Sequence, residues 1–257
     1  MDLYEDRFEV RFAETSAEVQ KTQELRYRVF IQEMGGQSCS RKGDTLLEKD
    51  DFDEYCKHLI LIDHKKKAKK LCEKIVGVMR LILGSDAKLR LGFCSSREYD
   101  LDSLISSGKK CLEIGRTCID KSYRNGLALH YMWKSLGSYT KENNVLIMFG
   151  LASFPGNDVM KISMALSFIN EKYLAPSNIR PRALKSGYTD MGIVPKDKID
   201  KVEALKQMPS LLKGYLRLGA VVGEGAFIDK ILNTIDVCIV IDLDKMLDKY
   251  KDYYGKS

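Results

Sequence analysis

The segment 123–128, YRNGLA, follows an apolar β-rich stretch and leads directly into a helical pattern. A strand that turns into a helix through a short glycine-containing loop directs backbone N–H groups and the positive end of the helix dipole toward a bound phosphate. Gly126 permits close approach of a ligand to the backbone, and Arg124 adds a positive charge. Because the same junction is common in sheets that bind nothing, a phosphate site and an ordinary turn both stay open.

A glutamate and an arginine lie in the stretch before this loop, in LEIGR at 112–116. In a regular strand, Glu113 and Arg116 are three positions apart and point to opposite faces. A β-bulge near Gly115 would place both side chains on one face, since glycine tolerates the bulged conformation. The two residues then either line one cleft or form ion pairs that tie the sheet to neighbouring helices.

The pattern of apolar residues predicts the elements that would position these groups. Strands are expected at 7–12, 58–63, 74–83, 110–120, 145–152, 211–222 and 236–243, and helices at 16–31, 127–141 and 158–173. The strands at 58–63 and 74–83 should form an antiparallel hairpin across a lysine-rich connection. This succession predicts a mixed α/β sheet with helices on both faces.

Composition excludes several classes of protein. The chain has 257 residues, of which 44% are hydrophobic and 30% charged, which excludes disordered and low-complexity classes. No apolar run approaches the roughly 20 residues of a membrane-spanning helix. The first residues, MDLYEDRF, lack the basic and apolar regions of a signal peptide, so we expect a cytoplasmic protein. Seven cysteines without a C-x-x-C pair, beside three histidines, argue against a disulfide framework or a metal site.

The net charge of +6 is unevenly distributed. Five lysines crowd the connection at 65–70, and further basic residues lie at 109–110 and 180–185. The lysine run fits a solvated hairpin tip, or a contact with an acidic carrier protein, anionic lipid headgroups or nucleic acid. Nucleic acid is the least favoured of these partners, because no recognised binding motif accompanies the charge.

The loop and several other segments resemble the GNAT acyltransferase superfamily, whose pyrophosphate loop has the form Q/R-x-x-G-x-G/A. Gly126 and Ala128 fit this pattern, whereas Tyr123 departs from it. RYRVF at 26–30, DDFD at 50–53, Arg80 and LEIGR at 112–116 together resemble the acyl-homoserine-lactone synthases, a GNAT branch that takes acyl chains from acyl carrier protein.

Nearly the whole chain, about residues 7–243, resembles the ornithine acyltransferases that make lyso-ornithine lipid. The resemblance rests on MFGLASFPGND, ALSFINEKYLAP, RPRA, PSLLKGYLRLGAVVGEGAFID and NTIDVCIVID. It implies one GNAT-fold domain over 1–257, with a mixed, mostly antiparallel central sheet flanked by helices, a core at about 7–185 and a β-containing extension at about 186–257. The implied reaction moves a 3-hydroxyacyl chain from acyl carrier protein to the α-amino group of ornithine. The lone Trp133, in the helix after the loop, argues against the lactone branch.

The resemblance also implies roles for individual residues. Glu113 is the expected general base, with Arg116 as its catalytic neighbour. The expected substrate-binding residues are Arg26, Phe30, Asp50, Asp53 and Arg80. Asp50 or Asp53 could hold the δ-ammonium of ornithine, and Arg26, Arg80 or Arg116 could bind its carboxylate.

The phosphopantetheine arm of the carrier is expected at Tyr123, Arg124, Asn125, Gly126 and Ala128. The acyl thioester is the donor, and no bound cofactor or metal is expected. Expected partners are acyl carrier protein, ornithine and the inner face of the membrane as a peripheral contact, and not nucleic acid. The alternatives are another acceptor such as glycine or lysine, a lactone synthase, and a carrier-binding protein without turnover.

Overall fold

The computed structural model describes residues 7–37, 40–43, 45–124 and 126–246. Its strands are β1 (Phe8–Phe12), β2 (Ser40–Lys42), β3 (Thr45–Leu47), β4 (Lys57–Asp63), β5 (Ile75–Leu83), β6 (Tyr99–Asp100), β7 (Cys111–Ile119), β8 (Ile147–Pro155), β9 (Arg182–Ala183), β10 (Tyr188–Thr189), β11 (Val221–Val222), β12 (Ala226–Asp229) and β13 (Thr234–Asp242). Its α-helices are α1 (Ser16–Arg26), α2 (Gly84–Lys88), α3 (Asp102–Ile105), α4 (Leu127–Glu142), α5 (Ser163–Tyr173), α6 (Lys201–Gln207) and α7 (Ser210–Arg217).

The central sheet has the strand order β1-β4-β5-β7-β8-β13-β12-β10, with β11 also paired to β13. Neighbouring strands run antiparallel except for β7 and β8, which are parallel. The mixed, mostly antiparallel sheet is therefore confirmed, and the predicted hairpin corresponds to β4 and β5. The strands after residue 185 belong to the same sheet, because β13 pairs with β8 over its whole length.

Alternating residues divide the sheet into two faces. On the back face, Met148, Ala152 and Phe154 of β8 share a core with Trp133 of α4. On the front face, Phe149 of β8 belongs to a second core. The front face also carries Arg80, Glu113 and Asp236. Helix α1 packs on this face, where its Leu25 contacts Val78 of β5 and Cys118 of β7.

The pairing of β7 with β8 stops early, and this opens the sheet. The ladder joins Cys111–Glu113 to Ile147–Phe149 and ends there. A Cβ at the next residue, Gly150, would lie 2.0 Å from the Ile114 carbonyl oxygen, so only glycine permits this close approach. Beyond it, β7 pairs only with β5, and β8 only with β13. We call the opening between Gly115–Ile119 and Leu151–Pro155 the β7–β8 gap.

Two predicted elements differ from the structure. The strand expected at 211–222 is wrong over most of its length, because Ser210–Arg217 is a helix and only Val221–Val222 is extended. Apolar residues in SLLKGYLR recur at intervals of three and four, which suits a helical face better than an alternating strand. The helix expected at 16–31 is α-helical only to Arg26 and continues as a π-helix over Tyr27–Glu33. Within the described residues, every helix is too short or too polar to cross a bilayer.

Candidate active site

A β-bulge on β7 turns Arg116 toward the front face. Arg80 of β5 pairs with Gly115, and Val78 pairs with Cys118, so Met79 alone stands opposite two residues of β7. The predicted bulge is present, but its left-handed residue is Arg116, with φ of +48°, rather than the neighbouring glycine. Arg116 and Glu113 consequently share the front face, the arrangement that the bulge hypothesis required.

Three arginines and three carboxylates form one buried group, which we call the arginine cluster. Its members are Arg26, Glu48, Asp50, Asp53, Arg80 and Arg116. Arg26, at the end of α1, donates from Nε to Glu48 Oε2 at 2.5 Å and from Nη1 and Nη2 to the two Asp53 oxygens at 2.6 and 3.0 Å. Its side chain is 0% exposed, so these bonds replace its hydration completely.

The other two arginines complete the cluster from the sheet. Arg80 makes a bidentate pair with Asp50, at 2.5 and 2.9 Å, and also donates to Asp53 at 3.0 Å. Arg116 donates from Nε to Glu48 at 3.1 Å, and its Nη2 lies 3.6 Å from Asp50 Oδ2. The structure therefore brings together five of the residues predicted from the sequence and adds Glu48, which was not predicted.

The arginines decide the ionisation of the cluster. Burial alone would raise the pKa of each carboxylate, but the guanidinium groups outweigh it. The charges of Arg116 and Arg26 hold the pKa of Glu48 below its ordinary value, and Arg80 does the same for Asp50. The pKa of Asp53 is lowered by Arg26 and Arg80. These carboxylates are ionised at neutral pH, and arginines already bind them.

Glu113 is buried and bound to the turn that precedes β6. Its carboxylate accepts hydrogen bonds from the backbone N–H groups of Cys94 at 2.7 Å and Ser95 at 2.6 Å, and from the Ser95 hydroxyl. Burial raises the pKa of Glu113, and these hydrogen bonds oppose the rise. The carboxylate thus holds the 94–97 turn against β7, beside the arginine cluster, where Arg80 Nη2 lies 3.2 Å from Cys94 Sγ.

The loop before α4 has the predicted turn. Gly126 has φ of +92° and caps the helix, and Ala128 is buried in the back-face core. Arg124 donates to the Ile119 carbonyl at 2.8 Å and forms an ion pair with Glu33 at 2.7 Å. Asn125 lies outside the described residues.

The remaining two predicted residues, Tyr123 and Phe30, contact parts of the molecule other than the arginine cluster. Tyr123 donates its hydroxyl to Asp63 at 2.8 Å, and burial together with this hydrogen bond raises its pKa to about 12. Phe30, in the π-helix, packs against the small core that contains Val78 and Cys118. The phenol of Tyr123 is thus engaged by a carboxylate of β4, and the ring of Phe30 by a small apolar core.

A cavity of about 210 Å³ opens beside the loop, between α4 and α7. It is lined by Gly126, Trp133, Tyr215 and Arg217, among others. The rings of Trp133 and Tyr215 meet edge to face with centroids 5.5 Å apart. Because α7 was predicted as a strand, the contact between Tyr215 and Trp133 could not be predicted from the sequence.

Sequence reasoning also missed a second group of carboxylates on the front face. Glu98, Asp229 and Asp236 place one oxygen each within 4.8 Å of one another, and we call them the acidic trio. Asp236 lies inside the apolar strand TIDVCIVID, and a charged residue at such a position is the one feature of the sequence that could have indicated a site. Glu98 is far from Asp236 in sequence, and Asp229 lies across the hairpin between β12 and β13. No regular spacing in the sequence therefore indicates that the three residues come together.

Comparison with known proteins places this architecture in a class. Residues 25–134 match the family model described as an acetyltransferase (GNAT) domain. The fold resembles the structure of FeeM, an N-acyl amino acid synthase from uncultured soil microbes, with a TM-score of 0.53 and 9% identity over 93% of this chain and 92% of that one. A CoA-dependent acyl-homoserine lactone synthase, BjaI, gives a TM-score of 0.50 at 12% identity, over 96% and 90% of the two chains. The molecule is an acyltransferase with the GNAT fold.

Sequence relatives narrow the class to one family. An L-ornithine N(alpha)-acyltransferase from Rhodobacter capsulatus is 40% identical over 97% of this chain and 95% of its own length. One from Brucella abortus is 37% identical over 96% and 88%, and one from Rhizobium meliloti is 34% identical over 96% and 84%. The chain belongs to the L-ornithine N(alpha)-acyltransferase family, as the sequence predicted.

Proposed function

We propose that this enzyme transfers a 3-hydroxyacyl chain from the phosphopantetheine thioester of acyl carrier protein to the α-amino group of L-ornithine. The observation that carries the proposal is the similarity, over nearly the whole chain, to enzymes named for ornithine acylation. In this reaction the α-amine attacks the thioester carbonyl, a C–N bond forms and the C–S bond breaks. The amine loses one proton, and the thiolate leaves with the carrier.

The β7–β8 gap is the proposed place of the thioester. Unpaired strand edges supply backbone N–H and C=O groups that can bind an extended amide-containing arm. The glycine-capped start of α4 lies at the end of β7, where its dipole favours a phosphate. The cavity beside Gly126 and Trp133 leads from this loop along α4. These features support binding of phosphopantetheine with its phosphate at the loop and its sulfur in the gap.

Arg116 is the proposed ligand of the acceptor's α-carboxylate. The side chains of Arg26 and Arg80 are 0% and 1% exposed and make bidentate pairs with the carboxylates around them. The side chain of Arg116 is 20% exposed, lies on the bulge beside the gap, and has hydrogen-bonding capacity beyond its bond to Glu48. A planar guanidinium that is partly exposed suits the recognition of a carboxylate.

Glu113 is the proposed general base. Burial raises its pKa above that of an exposed glutamate, which makes the carboxylate a stronger base. Its three hydrogen bonds to the 94–95 segment also give it a positioning role. The two roles differ in what a substitution does to turnover and to stability.

The donor is proposed to be the carrier protein rather than coenzyme A. Lys121 and Arg217 are exposed on either side of the loop, where they can meet an acidic protein surface. Four of the lysines between β4 and β5 are also exposed, at positions 65, 67, 69 and 70. They could meet anionic lipid headgroups near the place where the product is used.

The test is mass spectrometry of reactions that contain purified enzyme and either 3-hydroxyacyl carrier protein or 3-hydroxyacyl-coenzyme A. Each donor is offered ornithine, lysine, glycine or S-adenosylmethionine separately. We expect acyl-ornithine, made with the carrier thioester and at a much lower rate with the coenzyme. The matched variant is Lys121→Gln, a change to an exposed lysine that does not line the cavity, and it should raise KM for the carrier and leave the low coenzyme rate unchanged. Product with glycine or a lactone instead of acyl-ornithine would contradict the proposal.

A further inference from the structure

The acidic trio lies on the front face, where three elements meet. Asp236 is on β13, Asp229 is on β12, and Glu98 directly precedes β6. Tyr99 fixes this arrangement, because its buried hydroxyl lies 2.9 Å from the backbone oxygens of both Asp236 and Gly225. The three carboxylates are therefore held in place by the fold, whether or not anything binds them.

Two oxygens of the trio are buried, and neither has an N–H or hydroxyl donor within 3.5 Å. Asp236 is 2% exposed, and its Oδ2 accepts from the Thr234 hydroxyl at 3.0 Å, whereas its Oδ1 has no hydrogen-bond donor. Glu98 Oε2 is likewise buried and unpaired. Asp229 is partly satisfied by the N–H of Ile231 at 2.7 Å. Leaving such oxygens unpaired is costly, so the arrangement suits a ligand that donates hydrogen bonds.

The trio also lacks the cations that a buried carboxylate group normally has. Over the described ranges 7–37, 40–43, 45–124 and 126–246, no lysine, arginine or histidine forms an ion pair with Glu98, Asp229 or Asp236. Burial and the charge of Asp229 raise the pKa values of Glu98 and Asp236, and the two carboxyl groups interact through a side-chain hydrogen bond, which requires a proton on one of them. A positively charged ligand would relieve both effects.

The register of the strands places the trio beside the β7–β8 gap. Asp236 pairs with Ser153 of β8, four residues beyond Phe149, the last residue of β8 paired with β7. The same advance along β5, from Ile82 opposite Glu113, leads to Val78 and its β7 partner Cys118, which follows the bulge. The bulge with its arginine and the strand with Asp236 therefore stand within about one residue of the same level on opposite sides of the gap. The charge of Arg116 acts on Glu98, in agreement with this placement.

We infer that Glu98, Asp229 and Asp236 bind the side-chain ammonium of the acceptor amino acid and so select a cationic acceptor over a neutral one. The inference rests on the proposed function and assigns the acceptor's two ends to the two sides of the gap. The α-carboxylate binds Arg116, and an ammonium donates three hydrogen bonds to the trio, two of whose oxygens otherwise have no donor. Asp50 and Asp53, the carboxylates that the sequence suggested for this ammonium, are occupied by Arg26 and Arg80.

The test compares L-ornithine with L-norvaline, which has the same carbon chain without the δ-ammonium. Wild-type enzyme should favour ornithine in kcat/KM by about 10²-fold or more, since a site built for a hydrogen-bonding group rejects the analogue that lacks it. Asp236→Asn should reduce this ratio about 10²-fold, mainly through a higher KM for ornithine. The matched control is Asp242→Asn, a change to a buried carboxylate on the same strand and face that pairs with Lys109. It should keep the wild-type ratio.

Binding supplies a readout that does not depend on turnover. Ornithine should raise the melting temperature of wild-type and Asp242→Asn protein but not of Asp236→Asn, and norvaline should raise none of them. An unchanged ornithine preference in Asp236→Asn would overturn the inference while leaving the proposed function intact. Equal losses with both acceptors would also overturn it, as would one tightly bound divalent metal per wild-type chain that is absent from Asp236→Asn. A wild-type enzyme that acylates no ornithine would instead refute the proposed function, and the inference with it.

Discussion

Two buried groups of carboxylates lie on the front face, one on each side of the β7–β8 gap, and they differ in how their charge is balanced. In the arginine cluster, three carboxylates meet three guanidinium groups within ion-pair distance. In the acidic trio, three carboxylates meet one another, and two of their oxygens have no donor. A balanced group can serve the fold without a ligand, although Arg116 keeps 20% of its side chain exposed. An unbalanced group must instead hold a proton or bind a cation.

The same difference gives the two groups opposite responses to pH. Arginines lower the folded-state pKa of Asp50 and Asp53, so their stabilisation is present above the ordinary aspartate range and is lost as pH falls. Burial raises the folded-state pKa of Asp236, so the folded state binds more protons than the unfolded state. Its contribution therefore decreases as pH rises through that range.

The largest effect on protein stability is expected from removing an arginine of the arginine cluster. Arg26→Met leaves Glu48 and Asp53 buried without their main partner, and we expect a loss of about 3–5 kcal/mol in the free energy of unfolding, measured in urea. The matched control is Arg28→Met, two residues later, whose side chain is 46% exposed and pairs with Asp120 at 3.4 Å. That exposed pair should contribute less than about 1 kcal/mol. Equal effects of the two changes would mean that Arg26 is not essential to the cluster.

An intermediate effect is expected at Glu113, which lies beside the arginine cluster. In Glu113→Gln, one of the two backbone N–H groups at Cys94 and Ser95 faces an amide donor, and we expect a loss of about 1–3 kcal/mol in unfolding free energy. The general-base role additionally predicts that kcat of the folded enzyme falls by ~10²–10⁴. The control is Ser95→Ala, which removes one donor to the same carboxylate and keeps the base. Full kcat in folded Glu113→Gln would remove Glu113 from the proton transfer.

The two groups also mark how far the sequence could predict the site. Four short motifs contain all the arginine cluster except Glu48, so five of its six residues could be predicted, whereas Phe30 of the same motifs packs elsewhere. The bulge was predicted from Gly115, but its strained residue is Arg116, because ion pairs to Glu48 and Asp50 hold that side chain. Local sequence cannot show which neighbour takes the unusual φ when long-range contacts decide it.

The acidic trio could not be predicted because tertiary structure alone assembles it. Glu98 reaches Asp236 only after β6 has been placed against β13 through the Tyr99 hydroxyl, 137 residues apart in sequence. The central strands were predictable, since apolar alternation and the Gly126 turn define them locally. Helix α7 was mistaken for a strand because a short apolar run fits both periods, and so the partner of Trp133 was missed.

The smallest effect on protein stability is expected from removing a charge of the acidic trio, and this effect has the opposite sign. In ligand-free protein, Asp236→Asn removes a buried carboxylate whose Oδ1 has no donor, and we expect the free energy of unfolding at pH 8 to rise by about 1 kcal/mol. Since Asn does not titrate while the folded-state pKa of Asp236 is raised, this advantage should shrink as the pH is lowered toward 4. Saturating ornithine should reverse it, because only the wild type gains binding energy. Asp53→Asn, made in parallel, should destabilise at pH 8, since it leaves Arg26 and Arg80 without a shared partner. A destabilised Asp236→Asn protein without ligand would show that the trio, like the arginine cluster, serves the fold.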